Sequence, residues 1–143
     1  MNPENENDWC KERLRSFAAE VQADGVTLWR MEMDELVALA NPLEPDIVGM
    51  RQPVGRGIIS QAYLTGQAIL ETDPAANPHH DPAIDSRTGR PCRMIMAAPV
   101  VFQEGDGVVS AVRWHEREGE FGLEDLAKLS ALAMELGTGG SDA

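Results

Sequence analysis

The chain has 143 residues, 43% hydrophobic and 25% charged, which suits one domain with a core of its own and no need of a disulfide or metal staple. Its 12 basic residues face 24 acidic ones, a net charge of -12 that argues against nucleic acid and anionic membrane as partners and leaves any small anion to a local arginine. Two cysteines, Cys10 and Cys92, make no disulfide framework, no apolar run reaches membrane length, and the acidic start MNPENENDW is the opposite of a secretory leader, so a cytoplasmic protein is expected.

Residues 1–7 read as a flexible N-terminus, 8–137 as a single domain and 138–143 as a flexible tail. Asp8 is a candidate N-cap for a helix. In that helix Cys10, Leu14, Phe17 and Val21 share one face, and Asp24-Gly25 ends it. A strand follows from Val26 to Met33. Thr27, Trp29, Met31 and Met33 point to one side of it, Val26, Leu28 and Arg30 to the other. Asp34-Glu35 connects it as a hairpin to a strand at Leu36–Ala40, and Asn41-Pro42-Leu43-Glu44-Pro45 is a loop. Gln52 to Gly57 leads into a short helix, Ile58–Leu64, which stops at Thr65-Gly66. A strand at Ala68–Thr72 comes next. About twenty polar, Pro-rich residues then form a loop of a length that is uncommon inside a compact domain. Arg93–Phe102 is a strand whose Pro99 favours an edge or a bulge. After the turn Glu104-Gly105-Asp106-Gly107, a strand from Val108 to His115 puts Ser110, Val112 and Trp114 on one face. Leu123, Leu126, Leu129, Ala133 and Leu136 mark a final amphipathic helix, closed by Gly137.

Several strands carry apolar residues on both faces, so both faces of the sheet must be covered. The terminal helices can cover one, the short helix and the long loop the other. The expectation is an α+β fold with a central antiparallel sheet of five to six strands. Gly57, Thr65-Gly66-Gln67, Ile69, Asp73, Asp81-Pro82, Asp85, Thr88-Gly89, Arg93, Ala97-Ala98-Pro99-Val100, Gly119, Phe121 and Glu124-Asp125-Leu126 follow one another in an order and spacing that resembles a GAF domain. The resemblance runs from Gly25 to Leu136. It implies the strand order 2-1-5-4-3, a ligand pocket under the long loop, and dimerisation through the terminal helices.

Trp29, Met31, Met94, Met96 and Trp114 hold alternate positions on three strands. If those strands are neighbours, they form one apolar floor, suited to an adaptable pocket or to an ordinary core. Tyr63 can reach the same space from the short helix. Arg93 opens the family's Arg-x-x-x-Ala-x-Pro strand; its guanidinium suits a phosphate or carboxylate, or a structural pair with Asp81 or Asp85. In the long loop His79, His80, Asp85 and Thr88 complete the candidate ligand-binding set, while Asp81, Pro82 and Thr88-Gly89 also read as the punctuation of one helical turn. His79-His80-Asp81 lacks a third ligand, His115 being the only other histidine, so no metal is expected.

No catalytic residue is expected, because no Ser-His-Asp set, phosphate loop or carboxylate pair stands out. Some GAF proteins reduce free methionine sulfoxide with paired cysteines, and Cys92 beside Arg93 is a candidate thiol for that chemistry. The cysteine beside a histidine used by bilin-binding members is missing, and Glu116-Arg117…Phe121…Asp125-Leu126 keeps only part of the cyclic-nucleotide motif. The expected function is a regulatory domain that binds a small molecule of unknown identity, with no cofactor assigned. With no effector segment evident, it would act through a homodimer built on its terminal helices or through a partner signalling protein. The alternatives are the reductase and a degenerate domain serving only in assembly.

Overall fold

Alternating and helical patterns settle into nine regular elements in the computed structural model, which describes residues 3–78, 92–103, 105–115 and 119–138. They are α1 (Pro3–Val21), β1 (Gly25–Glu32), β2 (Glu35–Ala40), β3 (Arg51–Pro53), α2 (Gly57–Thr65), β4 (Ile69–Glu71), β5 (Met94–Phe102), β6 (Gly105–Arg113) and α3 (Leu123–Thr138). Single 3-10 turns stand at Pro45–Ile47 and Pro74–Ala76. The six strands form one antiparallel sheet in the order β3-β2-β1-β6-β5-β4. This is the expected order with β3 added at one edge. None of the described helices is long and apolar enough to cross a membrane.

Helix α1 starts at Pro3, so Asp8 lies inside it and is not its N-cap. Proline fits the first helical turn, where its missing N–H has no partner to lose. Leu14, Phe17, Ala18 and Val21 of α1 and Leu129, Leu132, Ala133 and Leu136 of α3 close over Val26, Leu28, Met96, Ala98, Val109 and Ala111 on the back of the sheet. Two surface ion pairs tie the helices together: Arg13 to both oxygens of Glu135 at 2.8 and 3.1 Å, and Lys128 to Glu20 at 3.2 Å. Gly137 does not end α3, which runs on to Thr138. Its role is close approach, since a Cβ there would stand 2.4 Å from the Val101 carbonyl oxygen.

The hairpin turn falls one residue before the expected pair. Met33 and Asp34 form the loop, with φ of 48° and 72°, as a two-residue primed turn requires. Helix α2 ends as expected at Gly66, which is left-handed at φ 69°. Pro99 lies two positions past Ala97, the last β5 residue paired with β4, so the strand is locally an edge there.

Candidate functional site

The front of the sheet is the face that carries α2. Ile58, Ile59 and Ala62 of α2 pack there with Trp29, Leu36, Ala38, Ile95, Ala97, Val108, Val112 and Trp114, and Met31, Tyr63 and Ile69 flank them half-buried. Register explains this set. Thr27 pairs with Ser110 and Trp29 with Val108, which brings the Trp29 indole beside Ser110; its Nε1 donates to the Ser110 hydroxyl at 3.0 Å. Trp29 is fully buried. Trp114 leaves β6 on the same face. Its amide donates to Asp24 Oδ2 at 2.8 Å and its carbonyl accepts from Arg93 Nε at 2.7 Å. Arg93 is therefore held at the backbone of a front-face tryptophan, with its side chain exposed.

A second row crosses the front farther along the sheet. Met31 pairs with Leu36, and Leu36 with Gln52, so three side chains from β1, β2 and β3 lie side by side. Asn41 fixes the exit of β2: its Nδ2 donates to Thr27 Oγ1 at 2.9 Å, and its Oδ1 accepts from the amides of Leu43 and Glu44 at 3.1 and 3.0 Å. This is the side-chain turn that asparagine favours.

The GAF domain family model matches residues 12–139. The chain belongs to the GAF domain family. Solved structures agree on the fold. One, of a type II free methionine-R-sulfoxide reductase from Thermoplasma acidophilum, is 20% identical with a TM-score of 0.74, over 94% of this chain and 91% of that one. The GAF domain of a phosphoenolpyruvate-protein phosphotransferase from Coxiella burnetii is 20% identical with a TM-score of 0.76, over 92% and 80%. A segment of a methyl-accepting chemotaxis protein is 15% identical with a TM-score of 0.75, over 94% and 87%. No curated protein matches the chain.

In this GAF domain the expected floor is split between the two faces. Trp29, Met31, Tyr63 and Trp114 share the front. Met94 and Met96 do not: they lie on the back, Met96 opposite Ala111 and Met94 opposite Arg113. Alternation along β5 separates two faces but cannot say which face meets which layer; the register with β6 decides it. The front positions of β5 are Ile95 and Ala97 instead. His79, His80, Asp85 and Thr88, with Asp81 and Pro82, lie outside the described residues. Among the described residues no group of three or more His, Cys, Asp or Glu could hold a metal ion.

The two thiols sit on opposite faces. Cys92 belongs to the front cluster, its Sγ 3.5 Å from the Met94 carbonyl oxygen. Cys10 packs against the back cluster, where burial pushes its thiol pKa up to about 11. Gln52 escaped the sequence reading because it stands in a segment that looked like a lead-in to α2. The one signal was its position between Arg51 and Pro53, an alternation too short to score as a strand.

Proposed function

We propose that this GAF domain binds a small organic molecule on the front face of its sheet. It passes the signal through a second copy of the chain or a partner signalling protein, and performs no chemistry of its own. The observation that carries this reading is the gathering of Trp29, Met31, Tyr63 and Trp114 on one face, beside the Arg93 guanidinium. Large, adaptable apolar surfaces with a few polar groups at their margin suit small-molecule recognition. The same fold in a chemotaxis protein supports a sensory role. The direct test is native mass spectrometry of freshly purified protein under gentle and then denaturing conditions. Extra mass lost on denaturation is expected; protein that never carries or takes up a small molecule would leave assembly as the function.

A homodimer through the terminal helices is supported by α3. Leu123 and Met134 are 78% and 76% exposed, and with the exposed Ala127 and Ala131 they form an apolar stripe at spacings of four, four and three residues. Deleting α1 would remove Leu14 and Phe17 from the core, so Ala131→Glu is the cleaner probe. It should convert a dimer to a monomer in light scattering. An unchanged mass would rule out this surface.

A second reading is a reductase of free methionine sulfoxide that uses Cys92, favoured by the place of that thiol in the front cluster. The chain has two cysteines in all, and the other packs behind the sheet, which removes the neighbouring thiol such chemistry wants. Turnover of free methionine sulfoxide that survives Cys92→Ser would exclude it.

A further inference from the structure

We propose that the carboxamide of Gln52 is the polar anchor for the small molecule on the front face, and that this molecule presents a hydrogen-bond donor and acceptor side by side on one edge, as a lactam or primary amide does. The inference rests on the reading of the front face given above.

Gln52 is the central residue of β3 and 2% exposed. Its pairing with Leu36, and that of Leu36 with Met31, turns it to the front. Among the described residues neither Nε2 nor Oε1 has a hydrogen-bond partner, although both are buried. The side chain offers two donors and one acceptor, and enclosing all of them unpaired opposes folding. Among the described residues the other buried carboxamide has partners at both ends: Asn41 Nδ2 donates to Thr27 and its Oδ1 accepts two backbone amides. An unmatched amide is thus not a general feature of this core. Nor is Gln52 loosely placed. Its neighbours Arg51 and Pro53 pair with Val37 and Glu35, and Ser60 of α2 donates to the Pro53 carbonyl at 3.2 Å. A leucine at this point would pack against Leu36 and Met31 with no polar atom to satisfy. A glutamine there is useful when something brought in from outside meets it. An amide satisfies both ends at once when it faces a neighbouring N–H and C=O, and the apolar row beside it favours a neutral ligand with an apolar body.

The probe is 2-piperidone, a small ring with N–H and C=O on one edge, compared with N-methyl-2-piperidone, which lacks the donor. The full chain, labelled at glutamine side-chain nitrogen and methionine methyl carbon, is titrated with each by NMR. The lactam should shift the Gln52 carboxamide and the Met31 methyl saturably and bind about tenfold tighter than its N-methyl analogue. Gln52→Leu should abolish that preference while its melting midpoint stays equal or rises. The comparison of the two rings on the unaltered chain stands even if the variant fails to fold. Equal binding of both rings, with the Met31 methyl still shifting, would overturn the role of Gln52 and leave the proposed binding at the front face standing. No shift at Met31 with either ring would overturn the proposed front-face binding and this inference together.

Discussion

Among the described residues the two faces of the sheet treat their buried polar side chains differently: Arg113 behind it is matched on three carbonyls, and Gln52 in front has neither polar atom matched. The back holds a buried arginine, Arg113, whose Nε donates to Gln22 O at 3.1 Å, Nη2 to Val21 O at 2.9 Å and Nη1 to Gly119 O at 3.3 Å. Its guanidinium also lies 4.5 Å from the ring centre of Phe121. Those carbonyls include the last of α1, so the cation meets the negative end of the helix dipole as well as its unpaired acceptors. The front also buries polar side chains, Thr27, Ser60 and Ser110 among them, and these are paired. Gln52 alone among the buried polar side chains has both of its polar atoms unmatched among the described residues. The contrast separates two tasks for one sheet. The back is completed by the chain itself; on the reading proposed above, the front keeps a buried, unmatched carboxamide for a ligand to meet.

The largest effect should come from the back. Leu129 is fully buried between α3 and the sheet, and Leu129→Ala leaves a cavity there. A loss of about 2–5 kcal/mol is expected in urea unfolding. Arg113→Met comes next. It keeps much of the apolar stem and strands three carbonyls, at a cost of about 3 kcal/mol. If Arg113→Met unfolds at the same urea concentration as the parent chain, the polar matching behind the sheet has no structural role and the comparison fails. Gln52→Leu supplies the opposite sign from the front, and the pair together sharpens the distinction.

What was legible followed from periodicity. Leu14, Phe17 and Val21 recur at helical spacing because one face of α1 must meet the sheet, and Leu129, Ala133 and Leu136 do the same for α3. Trp29 and Met31 could be assigned to one side of β1, and they share the front. What was hidden depended on contacts remote in sequence. Alternation alone puts Met94 and Met96 with the tryptophans, and only the pairing of Met96 with Ala111 turns them away. Strand β3 has three residues and a single buried side chain, too little for a period to register. Gly137 looked like a helix stop, yet its use is to let Val101 come close from a strand elsewhere in the chain.

The smallest effect is chemical and reports on the closure of the back face. Burial disfavours the Cys10 thiolate and lifts its pKa to about 11, against the opposing pull of Lys11. A raised folded-state pKa means that the neutral thiol is the favoured native form. Its contribution to stability is whole below the ordinary thiol pKa and is lost as pH climbs from there through about 11. Only the thiolate attacks an alkylating reagent, so at pH ~8 Cys10 should react with iodoacetamide roughly a hundredfold slower than a free thiol. Peptide mass mapping over a time course reads the rate at Cys10 separately from that at Cys92. Reaction of Cys10 at the rate of a free thiol would mean that α1 lifts from the sheet often enough to wet it, and the back could then no longer be described as the closed face.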